Sequence, residues 1–212
     1  MLLIALVALA QGDLDKATEQ AAGAAKQAFK LTLKVEGPTG GNWPLECKAD
    51  GELIEMGGGK LNAFKKGDMI VWREGKTWVR LSTERKDTMQ LLRLVTPPAA
   101  MLKGIGAKLK DAKADEKKDK EWTVWKAELN DAGAKEFALQ PGGTTGEVKC
   151  SGRARFWIDA EGSLAKFEIV AESRSVVKMQ GVLLRTTRTV ELKKDDVTIE
   201  IPAEAKKFFE ED

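Results

Sequence analysis

Residues 2–10 are apolar without interruption, and Ala8-Leu9-Ala10 places small residues around a leucine just before Gln11. This pattern predicts the end of a secretory signal peptide over residues 1–10 and a single domain over 11–212. The run lacks a basic flank and is too short for a bilayer, which takes about 20 apolar residues. A buried N-terminal strand is the competing reading. From Asp13 to Phe29 the period is helical, with Leu14, Ala17, Ala21, Ala24, Ala25 and Ala28 on one stripe and Asp13 or Asp15 as the cap. From Lys30 the period drops to two: Leu31, Leu33 and Val35 alternate with Thr32, Lys34 and Glu36, predicting a half-buried strand.

Leu45 to Met56 reads as a second extended run, closed by Gly57-Gly58-Gly59. Glu74-Gly75 reads as a two-residue hairpin turn pairing Trp72 with Thr77 and Val71 with Trp78. Ile70, Trp72, Val79 and Leu81 then share one face, and Met69, Val71 and Trp78 the other. Met89–Leu94 is apolar without a clear period. Pro97-Pro98 opens a helix with Met101, Leu102, Ile105 and Leu109 as its stripe, a helical insertion near 97–120. Its lysine-rich end, Lys103–Lys120, reads as a solvated helix end or loop. Glu121–Leu129 is a strand, and Asn130 or Asp131 caps a short helix to Leu139 that Pro141-Gly142-Gly143 breaks.

The last third alternates most clearly. Gly146–Asp159 and Leu164–Ser173 are strands around an Asp159–Gly162 turn, with Ala154, Phe156, Ile158, Phe167, Ile169 and Ala171 facing one way. Val176–Leu192 is too long for one strand and predicts a turn near Gln180-Gly181. Val197, Ile199 and Ile201 alternate in a final strand, followed by a short helix from Pro202. Runs of ten or more residues reach about 33 Å, which points to a strongly curved, mainly β (α+β) antiparallel sheet.

Composition sharpens this picture by what it lacks. The chain has 212 residues, no histidine and no tyrosine, so Ser-His and Cys-His catalysis, histidine metal sites and tyrosine acid chemistry are excluded. With 35 basic and 33 acidic side chains the net charge is +2, which gives no global field for nucleic acid. Gly57–Lys60 lacks the Ser or Thr of a phosphate loop, and Asp159–Gly162 lacks the further ligands of a calcium loop. No metal, cofactor or catalytic residue is expected. Cys47 and Cys150 are the only cysteines. An oxidising compartment would join them if they met; two separate thiols are the alternative.

Three phrases carry a family resemblance: LNAFKKGDMIVWREGKTWVRL over residues 61–81, ARFWIDAEGSLAKFEI over 154–169, and DVTIEIPAEAKK over 196–207. With the leading apolar segment and helix, they resemble the outer-membrane lipoprotein-sorting proteins, the LolA/LolB-like superfamily. The resemblance implies a half-barrel antiparallel sheet whose concave face is covered by helices around an apolar cavity for acyl chains. The candidate lining is Ile70, Trp72, Val79, Leu81, Phe156, Ile158, Phe167 and Ile169, with Met101 and Ile105 from the covering helix; a closed core is the competing reading. The lid-closing arginine of that family has no single counterpart among Arg73, Arg80, Arg85 and Arg93.

The expectation is therefore a non-enzymatic, periplasmic or secreted, monomeric carrier of lipid or acylated lipoprotein. At most it would touch the membrane peripherally and bind an envelope protein partner. The alternative is a protein-interaction module on the same scaffold without a lipid ligand.

Overall fold

A computed structural model of the chain describes residues 2–37, 40–84, 88–115, 121–140, 144–177 and 179–210. α1 (Leu2–Ala22) leads into β1 (Lys26–Glu36), where Phe29, Leu31, Leu33 and Val35 are buried while Lys30 and Lys34 are exposed. β2 (Gly41–Asp50), β3 (Leu53–Gly58), β4 (Leu61–Lys66), β5 (Met69–Glu74) and β6 (Thr77–Arg80) then meander outward from it. A 3-10 helix (Thr88–Leu94) and α2 (Pro98–Leu102) cross over to β7 (Leu109–Ala114) and β8 (Thr123–Leu129). α3 (Asp131–Phe137) precedes the long strands β9 (Thr144–Ile158), β10 (Leu164–Val177) and β11 (Gln180–Lys193), and α4 (Ala203–Glu210) ends the fold.

The strands form one antiparallel sheet in the order β6-β5-β4-β3-β2-β1-β11-β10-β9-β8-β7. It curves without closing into a barrel, as the strand lengths imply. Pairing of β1 with β11 joins the two meanders at its centre. The concave face and its helices share one hydrophobic core, in which Phe156 and Phe167, direct cross-strand partners, are fully buried with Leu14, Leu102 and Ile105. Each such side chain contributes roughly 1.5–3 kcal/mol by leaving water. On the outer face, pairs such as Lys30–Glu46 at 3.3 Å and Lys26–Asp50 at 2.9 Å join neighbouring strands, each worth at most about 1 kcal/mol.

Several elements depart from the sequence expectation. The first helix stops at Ala22 rather than Phe29, because Ala28 is held in ladders with Lys48 and Lys193, which outweighs its helix propensity. Leu45–Met56 divides at Gly51, whose φ of +59° makes the turn between β2 and β3. In the 97–120 insertion the α-helix ends at Leu102, with Gly104 at φ +65° after it; a 3-10 turn (Gly106–Lys108) then leads into the edge strand Leu109–Ala114. That edge is bulged between Lys110 and Lys113, with Asp111 at φ +54°. Residues 116–120 and Pro141–Gly143 lie outside the described residues.

The final strand is replaced by an extended segment in no ladder. Its Ile199 and Ile201 join Ala205, Phe208 and Phe209 against Phe64, Val71 and Trp78 on the convex face, so α4 lies on the opposite side of the sheet from the other helices. The Glu74-Gly75 turn is displaced too: Glu74 pairs with Thr77 and Trp72 with Val79. The register differs by two, so every side chain keeps the expected face.

The disulfide does not form. Cys47 and Cys150 are both free. They lie on β2 and β9, four strand positions apart, about 19 Å along the sheet at ~4.8 Å per strand. A disulfide needs Cα atoms within roughly 4.4–6.8 Å.

Candidate functional site

The ten expected lining residues all belong to the concave face or to the segments covering it. Ile70, Leu81, Met101, Ile105, Phe156, Ile158, Phe167 and Ile169 are buried in the shared core; Trp72 and Val79, paired with each other, are half-buried. The middle of the concave face is therefore filled by α1 and α2, and its open apolar surface lies nearer one end.

There a groove of about 260 Å³ is lined by Leu33, Trp43, Pro44, Leu45, Gly58, Gly59, Leu61, Met89, Leu91 and Leu92. Its floor follows from register: Leu33 pairs with Trp43, Leu31 with Leu45, and Gly58 with Leu61. The Trp43 ring lies over Gly41, in space a Cβ would occupy. The 3-10 helix forms the roof. Lys65 Nζ, on the concave face beside Ile70, donates to the carbonyls of Arg93 at 2.7 Å and Val95 at 2.6 Å. Burial lowers the Lys65 pKa. Arg93 in turn donates to Gln90 Oε1 at 2.7 Å and to the carbonyls of Leu81 and Asp68.

Larger spaces lie towards the other end of the sheet. One of about 860 Å³ is lined in part by Glu52, Lys66, Asp68, Arg80 and Arg93, and one of about 510 Å³ includes Gln27, Lys65, Asp68 and Lys103. An acyl chain would strip water from those charges, which is costly. The smaller groove has no charged side chain in its wall.

Of the four arginines considered for a lid, Arg93 anchors the roof, Arg73 and Arg80 are exposed on the opposite face, and Arg85 lies outside the described residues. The sequence reading missed Arg188. It lies on β11 in the same alternation as the buried Val190, and directly opposite Leu33 on β1, so the parity that marks Val190 as inward marks Arg188 too. It also missed Trp43 and Leu61, each two residues after a glycine that reads as turn rather than wall.

No protein-family model matches this chain, and no curated protein matches it. Among solved structures it resembles LprF from Mycobacterium bovis, with a TM-score of 0.52 and 11% identity over 92% of this chain and 97% of that one. A LolA superfamily protein from Nitrosomonas europaea superposes loosely, at TM-score 0.29 and 11% identity over 88% of this chain and 94% of that one. The chain shares its overall fold with LprF, here an open antiparallel sheet with helices in its concavity.

Proposed function

We propose that the protein is an exported, non-enzymatic carrier that shelters the acyl chain of a lipid or lipoprotein in the groove beneath the 3-10 helix. The observation that carries this reading is a wall of apolar residues and glycines with no charge in it, open at one end of the concave face. Each methylene withdrawn from water there is worth about 0.8 kcal/mol. At about 260 Å³ the groove falls just under the roughly 300–1,000 Å³ of small-molecule sites, so it suits one chain segment with the roof in place.

Residues 1–10 supply the export address, and the carrier acts outside the cytoplasm. No described helix is long and apolar enough to cross a membrane. Native mass spectrometry of protein gently extracted from its host should show lipid-mass adducts. Leu91→Trp, which fills the groove, should lower their occupancy about tenfold while the circular dichroism stays native. Protein that carries no adduct and takes up no fluorescent fatty acid would sink the reading.

The β10–β11 hairpin supports a second role. Its strands run past the last β1 pair, Glu36 with Arg185, and leave Val176, Leu183 and especially Met179 (92% exposed) in solvent. Such a tip suits contact with an envelope protein. Saturable binding of that partner, unchanged by delipidation and lost in Met179→Glu, would establish it.

A further inference from the structure

The concave face carries a buried cation that the groove does not explain. Arg188 is 8% exposed. Its Nη1 donates to the Phe137 carbonyl at 2.7 Å, and among the described residues no carboxylate pairs with it. Its neighbour Arg185, by contrast, is joined to both Glu172 and Glu36. Burial lowers the Arg188 pKa to about 10, so it is charged at neutral pH. A buried charge without a counter-charge is expensive, and one carbonyl takes up only one of the guanidinium's five N–H donors.

Its position is specific. Leu33, in the groove floor, is the cross-strand partner of Trp43 on one side and of Arg188 on the other. Directly opposed inward side chains have Cβ atoms about 4.5–5.5 Å apart. Two residues along the same face of β11, the Thr186 hydroxyl is buried with no hydrogen-bond partner among the described residues, and so is that of Ser175 on β10. Each is a hydrogen-bonding group for which the described residues supply no partner.

We propose that Arg188, with Thr186, binds the anionic head of an amphiphile whose acyl chain occupies the groove, the anion being a carboxylate or a phosphate monoester. The guanidinium offers such oxygens two parallel N–H donors, and the hydroxyl adds a third. This assignment rests on the carrier reading and narrows it to anionic amphiphiles.

The test compares cis-parinaric acid with its uncharged methyl ester, titrated by fluorescence into the full chain at neutral pH. The acid should bind about tenfold more tightly than the ester. Arg188→Gln, which keeps a polar side chain without the charge, should remove that preference and leave the ester unchanged. Thr186→Val, a smaller change, should lower acid binding two- to threefold, roughly one hydrogen bond, and serves if Arg188→Gln does not fold. Displacement of the acid by oleate alone assigns the carboxylate, and by lysophosphatidic acid alone the phosphate. Displacement by uncharged monoolein as readily as by either would overturn the proposal. So would equal binding of acid and ester by the unaltered protein, or equal weakening of both by Arg188→Gln. Failure to bind either probe would instead sink the carrier reading, and this assignment with it.

Discussion

Cys47 packs inward from β2, and burial pushes its thiol up to about 12 from an ordinary value of 9.0, helped by Glu46 and Glu55 nearby. The folded state therefore holds the proton that the unfolded chain releases above pH 9. Stability from this group is complete below about pH 9 and is lost as pH climbs towards 12. Chemical denaturation across that window should show a steeper loss for the unaltered chain than for Cys47→Ala. Cys150 is only partly buried. A thiol reagent applied to the native protein should modify it at least about tenfold faster than Cys47, since thiolate fraction and access set the rate. Equal rates would contradict the burial of Cys47.

Short covering elements depend on single side chains. Asn130 Oδ1 accepts from the Gly133 amide at 3.0 Å, capping α3, and its Nδ2 donates to the Ala107 carbonyl at 2.8 Å. Asn130→Ala should cost about 1–2 kcal/mol in an equilibrium unfolding curve, mostly through the lost cap. That cap, the alternation of β1 and the inward set Phe156, Phe167 and Ile169 were legible in the sequence because each follows from local chemistry or strict period. The end of α1 was not, since alanines at 24, 25 and 28 suit a helix until β2 and β11 claim the backbone. Val197–Ile201 alternates like a strand, but α4 and the convex side of β4–β6 supply packing where a strand would need a ladder partner. The candidate lining lies on the concave face, most of it at core depth. Period two identifies a side chain's face and says nothing of which helices lie above it, so the core residues and the groove residues looked alike.

For the whole molecule, the open sheet ends among the described residues in two unpaired margins, β6 and β7. β7 is short, and its sequence LKDAKA places Lys110 and Lys113 on either side of the bulge at Asp111. A run of lysines with little chemical purpose thus acquires one. A straight, uncharged margin would offer its free amides to the next copy of the chain, whereas charge and a kink deny that docking. Replacing Lys110 and Lys113 by valine and Asp111 by glycine, which keeps the φ of +54° and so removes only the charge, should leave the monomer's fold intact. It should also raise light scattering of concentrated protein on storage. No change in scattering would mean that β7 needs no such defence. A sheet that stays open cannot escape its margins by closing into a barrel; at β7 the lysines and the kink take over the protection that closure would give.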